Sequence, residues 1–161
     1  MPTRRLTAFR TAIANPAWIC FTWFGMTAGI SLLATPLRFT APTVTRAVGL
    51  DIGRVVFTAL NRAELVALII LLIVVRASGR SRNWWGICGA LALVVIMQSA
   101  WLLPELAARA DIVVAGGEPP PSPLHGIYST LELAKLALLA GAGFYALAGD
   151  RTARTRQPHG D

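Results

Sequence analysis

Four runs of mostly apolar residues, at 16–34, 55–75, 84–103 and 128–147, constrain this chain more than any other feature. Each comes close to the roughly 20 residues that a helix needs to cross the hydrocarbon core of a bilayer. Inside lipid every backbone amide must find its partner within the protein, and a single long apolar run satisfies that demand only as a helix. The expected fold class is all-α: an integral membrane, up-down four-helix transmembrane bundle forming one domain, with flexible cytoplasmic tails at 1–12 and 150–161. Composition agrees, because 55% hydrophobic and 14% charged residues leave too little polar surface to coat a soluble domain.

Arg4, Arg5 and Arg10 ahead of the first run imitate a secretory or twin-arginine signal. That run is long, contains Trp18 and Trp23, and ends in Leu33-Ala34-Thr35-Pro36 without a small-x-small cleavage pattern, so it is expected to remain as an anchor. Short cytoplasmic loops are enriched in Lys and Arg. Arg4, Arg5 and Arg10, then Arg76, Arg80 and Arg82, then Arg151, Arg154 and Arg156 fall on one side, which predicts a multi-pass membrane protein with both termini in the cytoplasm. Trp18, Trp84 and Trp85 are expected at the inner interface and Trp101 at the outer one. These nine cations account for much of the net charge of +7, and no basic face interleaved with aromatics remains, so the expected partners are the lipid bilayer and its anionic headgroups rather than nucleic acid. Cys20 and Cys88 lie toward the cytoplasmic ends of their helices, where a structural disulfide is not expected and small apolar packing residues are.

Between the first two runs, 35–54 combines Pro36, Pro42 and Gly49 with apolar residues and arginines, a composition expected to lie along the outer interface or to fold over the bundle mouth. Pro104 predicts a kink or break near Leu103, and the Pro-rich stretch 116–123 is a stiff spacer. Small residues recur at Gly25-x-x-x-Gly29, Gly86-x-x-x-Ala90 and Ala137-x-x-x-Gly141, a spacing that permits close helix contact, here expected within the bundle itself.

Charges inside the runs are what a membrane does not tolerate idly, since each costs roughly 2.5–3.5 kcal/mol at the centre on insertion scales. Arg62 and Glu64 lie on the second run, Gln98 on the third, Glu132 and Lys135 on the fourth. At a rise of about 1.5 Å per residue, the four charged positions fall at one level, on the order of 12–17 Å below the outer end. His125, Tyr128, Glu132 and Lys135 are spaced three, four and three, forming one stripe of the fourth helix. Arg54, Thr58, Asn61, Arg62 and Glu64 spread over a broader arc of the second. Arg62 and Lys135 balance Glu64 and Glu132, so two buried ion pairs that merely fix helix register would leave no net charge. The alternative is a pocket open to the outside, with Arg54, Asn61, Arg62, Glu64, Gln98, His125, Tyr128, Glu132 and Lys135 as the candidate ligand-binding residues.

No catalytic set stands out: the chain has no Gly-x-Ser-x-Gly turn, no phosphate-binding glycine loop and no His-Glu-x-x-His. His125 and Glu132 are about 10.5 Å apart along the axis, too far to share a metal ion easily, and no metal site is assigned. A proton relay across the membrane would need titratable groups in both halves, and the inner halves 65–75 and 136–147 are almost wholly apolar. Ala34-Thr35-Pro36, Leu50-Asp51-Ile52-Gly53-Arg54, Asn61-Arg62-Ala63-Glu64 and His125-x-x-Tyr128-x-x-x-Glu132-x-x-Lys135 resemble a group of bacterial four-pass membrane proteins of uncharacterised function, distantly CopD-like. The resemblance implies a four-helix bundle of the bacterial plasma (inner) membrane with polar residues at one end. Some of the wider group handle copper or haem through several histidines and methionines, whereas this chain has His125 and His159, with Met26 and Met97 isolated. Three functional readings stay open: a binding pocket for a small polar ligand or membrane partner, an accessory subunit whose buried ion pairs only fix the fold, and a metal- or haem-dependent redox protein. The sequence names no cofactor.

Overall fold

The computed structural model describes residues 15–155. Four helical spans, Ala17–Arg38, Arg46–Ala77, Arg82–Val114 and Leu124–Gly149, are long and apolar enough to cross a membrane, and the described residues contain no strand. The spans alternate in direction, giving the up-down four-helix bundle. The first packs chiefly on the fourth and the second chiefly on the third. The turn at 78–81 and both ends of the described chain lie at one end of the bundle, the terminal end; 39–45 and 115–123 lie at the other, the long-loop end. The tail 1–12 and residues 156–161 fall outside the described residues, while 150–155 continue the last helix.

The spans are longer than the apolar runs because polar residues extend them. In the first, α1 (Ala17–Ala28) passes through a π-helical turn (Gly29–Ala34) into α2 (Thr35–Arg38). The second is one helix, α3 (Arg46–Ala77), capped by the Thr45 side chain, which accepts from the Val48 amide at 3.3 Å. Only 39–45 of the expected loop 35–54 is therefore outside a helix, and Arg54 sits two turns inside one. The third span joins α4 (Arg82–Met97) through a π-helical turn (Gln98–Leu102) to α5 (Leu103–Val114). The fourth is α6 (Leu124–Thr155). Helices α3 and α5 end alike. Gly79 and Gly116 take positive φ (59° and 85°), and the following residues return to the chain through Arg80 N to Val75 O (3.4 Å) and Gly117 N to Ile112 O (2.9 Å).

The two π turns have a common cause. Pro36 and Pro104 each lack an amide hydrogen, and each ring would press on the carbonyl four residues back, at Leu32 and Ala100. Widening the preceding turn relieves that contact without breaking the helix, so the break expected near Leu103 is a π turn in a continuous span.

Toward the terminal end the core is apolar and tightly filled: Cys20, Trp23, Leu71, Trp84, Leu91 and Leu139 are each no more than 2% exposed. Trp84, expected at an interface, is inside the bundle beside the Tyr145 ring at 5.7 Å. Both cysteines are buried and free. Large side chains such as Val66, Ile69, Ile73, Leu93 and Phe144 point outward, a surface suited to lipid. The small-residue motifs face outward too, which corrects the expectation that they pack within the bundle. Gly25, Gly86, Ala90, Ala137 and Gly141 are exposed, and a Cβ at Gly25, Gly29, Gly86 or Gly141 would meet nothing within 4 Å. Trp23 and Thr27 take the inward face of α1, and Gly25 lies about 200° from Trp23 at 100° per residue. Close approach falls instead to Gly143 against the Phe21 ring, Gly49 against the Phe39 ring and Gly53 against the Arg38 guanidinium.

A Cβ at Gly143 would lie 2.6 Å from the Phe21 ring, which also holds an edge contact to Phe144 at 5.3 Å. Gly143→Ala is expected to lower stability by about 1–3 kcal/mol through overpacking. Gly141→Ala, two residues away in open space, should be neutral or stabilise by about 0.5–1 kcal/mol. Melting temperatures of the two variants in detergent check the contrast.

Candidate functional site

Toward the long-loop end the core turns from apolar to charged, and all four spans contribute. The Lys135 ammonium is fully buried, 2.6 Å from Glu64 Oε1 and 2.8 Å from Glu132 Oε2, and it donates to Gln98 Oε1 at 2.8 Å. Its three hydrogens thus meet three acceptors on three helices. Glu64 Oε1 also accepts from Trp23 Nε1 (3.0 Å) and Thr27 Oγ1 (2.9 Å) on the first span. Glu132 accepts from Ser31 Oγ at 2.7 Å through Oε1 and from Gln98 Nε2 at 2.7 Å through Oε2. Glu64, Gln98, Glu132 and Lys135 are each at most 3% exposed. Helix geometry explains the convergence: Glu132 and Lys135 are one turn apart on α6, and Trp23, Thr27 and Ser31 follow at steps of four along the first span.

The structure separates residues that the sequence grouped. Arg62 is exposed and makes no ion pair or hydrogen bond among the described residues; it lies two positions, about 200°, from Glu64 and so points away when Glu64 faces in. The pairing that would have balanced the charges is therefore not formed. The cluster holds two carboxylates and one ammonium, a formal charge of −1 with both carboxylates ionised. Asn61 is also outside it, exchanging hydrogen bonds with Ser99 (2.8 and 3.0 Å) between the second and third spans.

Above the cluster, a cavity of about 580 Å³ opens at the long-loop end. Glu132 and Ser31 line its deepest part, and its walls are chiefly apolar, from Leu50, Phe57, Leu103, Leu106, Ala110 and Leu133. Tyr128, 6% exposed, lines it with its ring edge-on to Phe57 at 5.7 Å. Arg38, Arg54 and His125 line it nearer the loops. Arg54 is committed to two aspartates, Asp51 at 2.7 Å and Asp111 at 2.6 Å, all three exposed or half-exposed. Arg109 donates to the Pro120 carbonyl, tying α5 to the Pro-rich spacer.

Of the nine candidate residues, Glu64, Gln98, Glu132 and Lys135 form the buried cluster. Arg54, His125, Tyr128 and Glu132 line the cavity, with Glu132 common to both. The sequence reading missed the first span entirely. Trp23-x-x-x-Thr27-x-x-x-Ser31 is a one-face polar stripe, and it was hidden because an indole, a hydroxyl and a serine carry no charge to attract notice. Among the described residues no group of three or more His, Cys, Asp or Glu is placed to hold a metal ion. Compared with known families, curated proteins and solved structures, the chain has no match in any of the three.

The charge arithmetic gives an unusual mutational signature. Glu132→Gln and Glu64→Gln each remove the surplus negative charge while leaving Lys135 one carboxylate, and each is expected to change stability by less than about 1 kcal/mol. The double variant strands a buried ammonium and should cost about 3–5 kcal/mol, as should Lys135→Met, which strands two carboxylates. Denaturation of the four variants in detergent measures the coupling; additive effects would mean that the cluster is not one electrostatic unit.

Proposed function

We propose that this chain is a four-pass membrane protein whose long-loop end faces away from the cytoplasm and binds a small molecule in the cavity between the four spans. One observation carries the reading: the cavity is of ligand size, mostly apolar, and brings a few polar side chains, Tyr128, Ser129, His125 and Glu132, to bear on one volume. Pockets of about 300–1,000 Å³ with that balance bury most of a drug-sized molecule. Leu32 and Leu133 line it while remaining 53% and 55% exposed, which supports access from the bilayer as well as from the loops. Nine arginines flank the terminal end in the sequence, Arg4, Arg5, Arg10, Arg76, Arg80, Arg82, Arg151, Arg154 and Arg156, against Arg38, Arg46, Arg54 and Arg109 toward the other end, a bias that supports the orientation.

A second reading rests on a different observation. The cluster beneath the cavity satisfies itself: Lys135 already has three acceptors and Glu132 three donors. Its own work is to tie the spans together, which favours an accessory or structural membrane subunit whose buried ion pairs only fix the fold.

In phospholipid nanodiscs, a panel of twelve-carbon amphiphiles with neutral, anionic and cationic heads is expected to include at least one that raises the melting temperature of the wild type. Stabilisation should reach about 2.7 kcal/mol at a hundredfold excess over Kd. Ala107→Trp, which fills the cavity from α5, should abolish that shift. A panel that leaves the wild type unmoved up to the solubility limit ends the binding reading. For orientation, a membrane-impermeant thiol reagent should label Ser122→Cys in intact cells and Ser81→Cys only after lysis; the reverse pattern overturns the topology.

A further inference from the structure

The cavity carries one cation that no carboxylate among the described residues pairs. Arg38, half-buried at the end of α2, lines the cavity, and its Nε is buried without a hydrogen-bond partner. No ion pair or hydrogen bond to its guanidinium occurs among the described residues; the guanidinium lies over the Phe39 ring, 5.0 Å from the centroid. The fold nevertheless makes room for it. A Cβ at Gly53 would lie 3.0 Å from both terminal nitrogens, so the guanidinium rests against a helix surface where only glycine leaves this space. The other arginine of the mouth, Arg54, has its charge met by Asp51 and Asp111, and the carboxylate at the cavity floor, Glu132, is engaged by Lys135, Gln98 and Ser31. The remaining titratable neighbours on the lining are His125 and Tyr128.

We infer that the cavity takes an amphiphilic acid, with a carboxylate or phosphate head against the Arg38 guanidinium and an apolar body of about a dozen carbons among Leu50, Phe57, Leu103 and Leu106. The inference rests on the binding reading above and names its ligand class. A guanidinium cannot discard its proton, so an unpaired one beside apolar walls favours an anion, and its planar fork suits the two oxygens of a carboxylate or phosphate. The position fits an amphiphile. Arg38 and Arg54 lie where the apolar run of the second span begins, near the boundary between hydrocarbon and headgroups, and the walls below them are apolar. A lipid-derived acid enters head-up past Leu32 and Leu133, whereas a water-borne anion needs only the guanidinium.

The test compares dodecanoate and dodecyl phosphate with dodecanol, dodecyltrimethylammonium, acetate and inorganic phosphate, all titrated against the protein in phosphatidylcholine nanodiscs and read as ligand-dependent melting shifts. The wild type is expected to bind at least one acid about tenfold or more tighter than dodecanol, and Arg38→Gln should remove that preference, a loss of about ten- to a hundredfold. Arg38→Lys, which keeps the charge but not the fork, should retain the preference in weakened form, so the comparison survives even where Arg38→Gln melts early. Equal affinity for acid and alcohol, or a preference that persists in Arg38→Gln, overturns the Arg38 assignment while leaving the cavity reading intact. Tightest binding of dodecyltrimethylammonium overturns it in favour of the negative floor. Acetate or inorganic phosphate binding as tightly as the long-chain acids overturns the amphiphile and leaves a free anion. No binding by any twelve-carbon compound removes the cavity reading itself.

Discussion

The Lys135 ammonium is the interaction on which the arrangement of the helices depends. In lipid the hydrophobic effect does not press helices together, because tails outside are as apolar as side chains inside; packing and polar contacts must do it. A single cation with acceptors on the second, third and fourth spans, and a carboxylate partner that reaches the first through Trp23 and Thr27, makes each span a ligand of the same centre. Rotating any one helix by a residue would turn its contribution out of the centre and leave a buried charge or amide unsatisfied. That penalty, rather than the net attraction between the charges, is what selects one register over its neighbours.

The prolines are coupled to this centre. Each π turn that accommodates a proline also supplies polar groups to the interior: Ser31 from Gly29–Ala34, and Gln98 with Ser99 from Gln98–Leu102. A π turn inserts an extra residue into the helical repeat and so shifts which face the residues on either side present. In the third span Val95 and Gln98 both face inward across its start, and Leu102 is buried at its end. Pro36 and Pro104 thus act at a distance of several residues. They set the local winding that aims Ser31 and Gln98 at Glu132, and the cavity is lined by Ser31 and Leu32 of the first π turn and by Leu103 just past the second.

How far the sequence revealed all this depends on the kind of signal. Apolar run length reports directly on a bilayer, so the four spans and the helical class were legible from composition along the chain alone. The fourth-helix stripe was legible too, because Tyr128, Glu132 and Lys135 share one face at fixed spacing whatever surrounds them. Arg62 shows the limit. Its charge suggested a partner for Glu64, although a separation of two residues already places the two on opposite faces, and the angular argument outweighs the electrostatic one. The small-residue motifs failed for a related reason: spacing of four says that residues share a face, not which face, and Trp23 and Thr27 held the inner one. The helical start at Arg46 was hidden because Thr45 caps a helix in a stretch where Pro42 and the arginines suggest a loop. Contributions such as Arg38 on Gly53 exist only after the chain folds back, and no local pattern encodes them.

Glu132 belongs to both the cluster and the cavity, and for the binding role proposed above this sharing determines where selectivity would reside. Its Oε1 accepts from Ser31, while its Oε2 accepts from Gln98 and Lys135; a molecule arriving at the floor therefore meets a carboxylate whose orientation is already fixed from below. Displacing any of those bonds would unsettle the centre that holds the spans together, at a cost that ligand contacts in a mostly apolar cavity could hardly offset. The floor is consequently a fixed polar boundary rather than an adaptable recognition element. Discrimination must come from groups that are free to respond. The apolar walls choose by size and shape, a weak criterion worth about 1–3 kcal/mol per methylene. For the amphiphilic acid proposed above, charge would provide the stronger one, and since Arg54 is occupied by two aspartates, the guanidinium that rests on Gly53 is the cation placed to supply it.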